Sequence, residues 1–448
     1  MMDIRRFILL IATCVIFAVF SPGTAHAAEF TRVVGAFYND DPFQADVDVT
    51  IEGFQKWGTV TREYNVNGTM IDAAGLSYSE SMFTLVPRAD IGIFKGLEIF
   101  FEFPVVMQWT REVSLDQSIK RDAGGRYTNF TMNRENQPNY TKSDWIVNGA
   151  GSVSRSGFGD MSVGVRWAVF NDQRPTYTLK REKDSKDNPI WWDDTLATWI
   201  LEFMYTAPTG TRIVPAGNSG VGLGAHQFTF STALSKRFRY MDPYFGISSC
   251  FQVSQGPDDP SQISYYKYVR PGQVGSMIVG TEIIPYEKHA LGYKVALDIR
   301  FGMKYISGGD SDYTEMADFF PGTTFFQKDA SGNYVRDSNG YPIIQNPTDF
   351  GRLTGREQYL QFYGGIGFYF IAAKYFKLST SVDLGHDTLH FITFDPIGID
   401  KNGNGRFNPA EGDVPNPNYE GELDQRGYRF RIMDTFLISW SVMLSGQF

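Results

Sequence analysis

The last residues of the chain alternate with a period of two: Phe436, Ile438, Trp440, Val442, Leu444, Gly446 and Phe448 fall on one side, and Leu437, Ser439, Ser441, Met443, Ser445 and Gln447 on the other. A helix would scatter these residues around its circumference, so the pattern demands an extended strand with two unlike faces. The segment from Tyr293 repeats it, with Tyr293, Val295, Leu297, Ile299, Phe301, Met303 and Tyr305 set against Lys294, Asp298, Arg300 and Lys304. From Leu97 the same reading places Leu97, Ile99, Phe101, Phe103, Val105, Met107 and Trp109 on one face and Glu98, Glu102, Gln108 and Thr110 on the other. An apolar face is the core of a soluble sandwich or the lipid side of a membrane barrel, and alternation alone leaves both open.

The ends of the chain and its composition choose between them. Arg5 and Arg6, the apolar run Phe7 to Phe20 and the small-residue site Ala25-His26-Ala27 form a secretory signal peptide, so cleavage after Ala27 and export unfolded are expected. The cut leaves Cys250 as the single cysteine, and no intramolecular disulfide can form. Beyond the leader no apolar run is long enough for a membrane helix, yet the chain carries 37 Phe, 24 Tyr and 45 Gly. That combination suits strands that show lipid only every second residue. A net charge of -9 without a basic run excludes nucleic acid as a partner.

Twelve alternating segments begin near Asp46, Ser77, Leu97, Gly159, Thr195, Gln227, Pro243, Gln273, Leu291, Gln358, Phe376 and Tyr428. Phe94-Lys95-Gly96, Arg239 to Asp242, Tyr286 to Ala290 and Lys374-Tyr375 are tight connections, whereas about 113–157, 308–355 and 395–427 are long. An even strand number, with short turns on one rim and long loops on the other, is the build of an outer-membrane barrel. The expected fold is therefore all-β, a transmembrane antiparallel up-and-down barrel: residues 1–27 as leader, 28–42 irregular and placed in the lumen or the periplasm, and 43–448 as barrel with long external loops. Asn171 to Asp194 breaks the scheme, being either a long periplasmic excursion or an extra hairpin.

The terminal Phe448, with Trp440, Val442 and Leu444 before it, resembles the signal read by the outer-membrane insertion machinery. That resemblance makes this machinery a partner, alongside outer-membrane lipid and lipopolysaccharide. Ser156-Gly157-Phe158-Gly159-Asp160-Met161 and Tyr205-Thr206-Ala207-Pro208-Thr209-Gly210-Thr211 resemble the Gly-x-Gly-Asp strand and Pro-Thr-Gly loop of the outer-membrane transporter family named for the MetA pathway of phenol degradation. The resemblance covers about a tenth of the chain and implies passage of a hydrophobic or aromatic compound.

The sharpest local motif is Asp400-Lys401-Asn402-Gly403-Asn404-Gly405-Arg406-Phe407-Asn408-Pro409-Ala410-Glu411, which fits the calcium-loop pattern at every specified position. Asp400, Asn402, Asn404, the Arg406 carbonyl and a bidentate Glu411 would supply hard oxygens, Asn408 through water, and Gly405 the sharp turn. Asn408 also reads as the cap of a short helix beginning at Pro409. The lumen face is expected to carry Arg88, Asp90, Glu98, Glu102, Asp160, Arg166, Glu202, Lys294, Asp298, Arg300, Lys304 and Asp383. Twelve strands lie between a filled eight-stranded barrel and an open porin, so these charges either line a narrow passage or pair into a closed network.

The expected function is passive transport of a small solute across the outer membrane. A structural or surface-interaction barrel is the alternative, served by an acidic stretch at Asp310, Asp312, Glu315 and Asp318. No catalytic residue is assigned. Outer-membrane hydrolases use Ser with a nearby His, but His226, His289, His386 and His390 show no His-x-Ser spacing.

Overall fold

The computed structural model describes residues 28–34, 44–66, 69–94, 96–115, 151–170, 197–238, 240–256, 263–267, 271–288, 293–320, 335, 351–372 and 375–447, with the pairs 182–183 and 189–190. The leader and Phe448 lie outside the described residues. The sheet has twelve staves, numbered here in chain order. They are β1 Ala45–Val66, β2 Thr69–Phe94, a broken β3 Leu97–Glu102 and Val105–Leu115, a broken β4 Gly151–Phe158 and Ser162–Phe170, β5 Thr198–Thr206 and β6 Ala225–Ser235. The others are β7 Met241–Ser254, β8 Val274–Lys288, β9 Tyr293–Ile306, β10 Tyr359–Ala372, β11 Phe376–Asp387 and β12 Phe430–Gln447. Each pairs antiparallel with its sequence neighbours, and β1 also pairs with β12 from Asp46↔Gln447 to Arg62↔Phe430, which closes the barrel.

The outward face is a band of exposed apolar side chains, among them Val47, Phe101, Trp167, Phe230, Phe251, Ile299, Phe301, Ile366, Val382 and Leu444. Such a band, on strands whose backbone groups are paired around a closed ring, defines a transmembrane β-barrel of the outer-membrane type. Aromatics lie over glycines of neighbouring strands: a Cβ on Gly164 would strike the Phe100 ring, and one on Gly302 would strike Tyr363.

The hairpin β1–β2 runs well past the clean alternation of Asp46 to Glu52, and β2 begins before the expected start near Ser77. Its strands of 22 and 26 residues exceed the roughly 9–11 needed to span lipid and run on beyond the membrane. The loop expected at 113–157 is correspondingly shorter, since strands extend to Leu115 and resume at Gly151. Among the described residues of Asn171 to Asp194, Glu182–Lys183 and Pro189–Ile190 form a short antiparallel hairpin apart from the wall, where β4 pairs directly with β5.

Trp109 corrects the expected lipid face. Phe103-Pro104 interrupts β3, since proline has no N–H to donate, and an extra residue at Met107 shifts the register against β2. A one-residue slip exchanges faces. Met107 therefore remains outside while Trp109 turns inward, donating to Glu80 Oε1 at 2.6 Å. On β12 Asp434, with φ 51, marks a similar change of face, so that Ile432 and Leu437 both point inward despite their odd separation.

In vesicles with brominated acyl chains, a variant keeping Trp167 alone is expected to lose most of its fluorescence, and one keeping Trp109 alone to retain it. Strong quenching of Trp109 would return that side chain to the lipid face.

Candidate functional site: a lumen closed at two levels

The rim that carries the tight turns is crossed by residues 28–34. Ala28, Thr31 and Val33 are buried, and Phe30 stacks on Tyr244 with ring centroids 4.7 Å apart. Thr31 Oγ1 meets Ser235 Oγ at 2.6 Å, the Val34 amide donates to Glu98, and Arg32 pairs with Asp46 at 3.0 Å. The segment thus touches β1, β3, β6 and β7, and Glu29 ties it to the far wall. Its amide donates to Glu282 on β8 at 2.5 Å, while its carboxylate meets Lys377 on β11 at 2.8 Å and Lys294 on β9 at 3.4 Å. Burial alone would raise the Glu29 pKa, but Lys377, Lys294 and Arg32 outweigh it and hold the carboxyl well below its ordinary range. Of the two placements open for this segment, its described part takes the lumen.

The opposite rim is closed by residues 313–320. Met316, Phe319 and Phe320 are buried among Val60, Leu76, Tyr78, Val113, Phe430 and Ile432 of the wall, together with Ile392 and Leu423 from the last loop. Charges lock the plug in place. Lys56 lies 2.8 Å from Glu315 and 2.7 Å from Asp387, and Arg155 lies 2.8 Å from Asp318. Arg111 donates to the Thr314 carbonyl at 2.8 Å and pairs with Glu80 at 3.2 Å. Glu315 and Asp318 therefore do not serve as an external acidic patch: both are buried, with basic wall residues as partners. Alternation cannot show this, because the segment is not a strand and its partners lie far away in sequence.

The expected lumen residues fall mostly between and beside these closures. Arg88 pairs with Asp90 and Glu102, both at 2.6 Å; Arg166 pairs with Glu98 at 3.0 Å and Glu202 at 2.6 Å. Lys294 meets Glu282 at 3.1 Å, and Arg300 meets Asp383 at 2.6 Å and Asp298 at 3.3 Å. Lys304 lies over the Tyr363 ring, 5.5 Å from its centroid. Asp160 is placed differently from the rest. It sits at the break in β4 and accepts from the Gly210 and Leu223 amides, both at 2.9 Å, so it anchors the 207–224 loop rather than lining the passage. Its Gly-Asp context, which starts a strand, is also a turn context.

Between the two closures lies a chamber of about 340 Å³. Glu52, Phe54, Met82 and Ser381 line it but are absent from the expected set. The clean alternation of Asp46 to Glu52 does not continue through Gly53 to Lys56, and a lone Phe or Met carries no mark of a lumen position.

In the last loop, Asp400 accepts the Gly403 amide at 2.7 Å and the Gly405 amide at 2.6 Å. The Asn402 and Asn404 side-chain amides both donate to Glu411 Oε2 at 2.7 Å, and the Arg406 amide donates to Asn404 Oδ1 at 2.8 Å. Asn408 caps the short turn Pro409–Glu411 by accepting from the Ala410 amide at 3.1 Å. The Asn402, Asn404 and Asn408 side chains thus gather on the Glu411 carboxylate, while Asp400 holds the amides of the loop itself. Among the described residues no three His, Cys, Asp or Glu side chains gather as metal ligands, so a cation here would also draw on the Asn oxygens and a carbonyl. His386 Nδ1 faces the Thr435 carbonyl at 2.6 Å and His390 Nδ1 the Thr388 carbonyl at 2.8 Å.

No family model matches the chain, and no curated protein does. Among solved structures it is similar to the COG4313 outer membrane channel from Pseudomonas putida F1, at TM-score 0.37 and 11% identity over 90% of this chain and 95% of that one. It is also similar to a Pseudomonas aeruginosa FadL homologue, at TM-score 0.30 and 9% identity over 96% and 99%. The TodX monoaromatic hydrocarbon channel follows at 0.31 and 8% identity over 95% and 96%.

Removing one member of a buried ion pair costs about 3–5 kcal/mol, because the other is left uncompensated. Lys56→Ala is therefore expected to release residues 313–320, read as new protease cleavage there in the folded barrel. Acid should do the same. Burial would raise the Glu315 pKa, but Lys56 and Arg356 outweigh it and hold it well below the ordinary 4.5. A depressed carboxyl stabilises docking fully above that ordinary value and loses this contribution as pH falls below it toward the folded one. Equal protection at pH 7 and pH 3 would contradict the lock.

Proposed function

We propose that this protein is an outer-membrane channel for a small solute, held closed in the described state and opened by withdrawal of its non-strand closures. The observation that carries the reading is the chamber between two plugs that are not part of the wall. A purely structural barrel of this size has no need of a cavity, whereas a passage has one wherever its obstructions are segments that can leave. The paired lumen charges fit the same picture, since they answer one another along the wall while the passage is closed and offer polar groups once water enters. Export by the leader, insertion through the C-terminal strand and contact with lipid and lipopolysaccharide belong to this proposal.

The decisive measurement is single-channel current from the refolded mature chain in planar bilayers. Wild type is expected to show rare, brief steps, and Lys56→Ala more frequent ones. A folded, heat-modifiable protein that stays silent in both forms would favour a structural barrel.

We also propose that Asp400, Asn402, Asn404, the Arg406 carbonyl and Glu411 bind calcium. The reading is supported by the gathering of Asn402 and Asn404 on Glu411, by the wrap of the loop around Asp400 and by Gly405 at φ 77. A loop open to solvent with two carboxylates suits the weak range, Kd roughly 10⁻⁴–10⁻³ M. Calorimetry should detect millimolar calcium with wild type and none with Glu411→Gln; no heat with wild type removes the site.

A further inference from the structure

The register of the wall specifies the chamber. On one level Glu52 of β1 faces Thr84 of β2 and Ser441 of β12, and Ser441 faces Ser381 of β11. One level up, Phe54 faces Met82 on one side and Ser439 on the other; Ser439 faces Asp383, which faces Gly365 and then Arg300 of β9. Gly365 permits the ion pair, since a Cβ there would collide with the Asp383 carboxylate. The Arg300 guanidinium is fully engaged, with Asp383 at 2.7 and 2.6 Å and Asp298 at 3.3 Å.

The charges do not balance. Two carboxylates share one guanidinium, and Glu52, exposed to the chamber, makes no hydrogen bond or ion pair among the described residues. Lys304, farther toward the outer plug, is turned onto Tyr363 instead, and Glu102 across the lumen is already taken by Arg88. An ionised carboxylate away from bulk water calls for a cation or strong donors. Beside it Phe54 and Met82 offer an aromatic face and a thioether, surfaces that take an alkyl or aryl group and favour an adjacent cationic centre. The volume lies at the lower end of the ~300–1,000 Å³ range of small-molecule pockets.

We propose that the chamber is a binding site for a small amphipathic organic cation, its ammonium on Glu52 and its apolar body on Phe54 and Met82. The inference deepens the channel reading and rests on the same lumen. It names a solute class that the family resemblance does not imply.

The test uses the folded full-length barrel and three probes that share one body: phenethylamine as cation, 2-phenylethanol as neutral form and phenylacetate as anion, each measured by equilibrium dialysis. Phenethylamine is expected to bind about tenfold or more tighter than 2-phenylethanol, with phenylacetate weakest. Glu52→Gln should remove that preference while Glu52→Asp keeps it, heat-modifiable migration certifying each variant as folded. A series unchanged by Glu52→Gln, a preference for the anion or neutral probe, or no binding of any of the three overturns the proposal. Bilayer recording separates the two readings: a silent barrel with an intact cation preference sinks the channel and leaves the site, and a conducting barrel without it does the reverse.

Discussion

Everything in this structure depends on the pairing of the first strand with the last. In hydrocarbon an unpaired backbone N–H or C=O costs several kcal/mol, so a sheet crossing a membrane must have no edge. The ladder from Asp46↔Gln447 to Arg62↔Phe430 removes the two edges that remain after eleven hairpin contacts. Once closed, the ring sorts side chains by parity. One set meets lipid and must be apolar; the other meets a space too wide for wall side chains to fill alone and too narrow to stay open without consequence.

That intermediate width explains the use of loops and terminus as internal parts. Residues 28–34 and 313–320 supply what the wall lacks, and each does so with two devices at once. Apolar residues fill the bore, as Phe319 and Phe320 do, and charged residues answer wall charges that would otherwise be desolvated without a partner. Lys56 illustrates the economy: buried between Glu315 of the plug and Asp387 of the wall, it remains neutralised by one carboxylate if the plug withdraws.

The barrel was legible because its rule is local. Alternation at Tyr293–Tyr305 and Phe436–Gln447 needs only the chain itself, and the twelve strands follow from it. Exceptions arose where the rule is broken by a non-local or backbone event: Trp109 behind the Pro104 break and the Met107 bulge, Ile432 behind Asp434. The plug residues were illegible for a different reason. Nothing in Tyr313-Thr314-Glu315-Met316 separates a hydrated loop from a buried one, since the partners that bury it, Lys56, Arg111 and Arg155, stand more than 150 residues away in sequence.

Charge in the lumen follows from the same geometry and bears on function. A wall position has two lateral neighbours, so a guanidinium placed there is reached by carboxylates from its own strand and from a strand beyond, provided that the intervening residue is small. Gly365 is that residue between Arg300 and Asp383, and the outcome is a base fully occupied at home. Glu52 has Thr84 and Ser441 as its neighbours, neither of which carries a compensating charge. The wall thus engages Arg300 internally and leaves Glu52 facing the cavity without a partner among the described residues, which is the place the proposed cation takes.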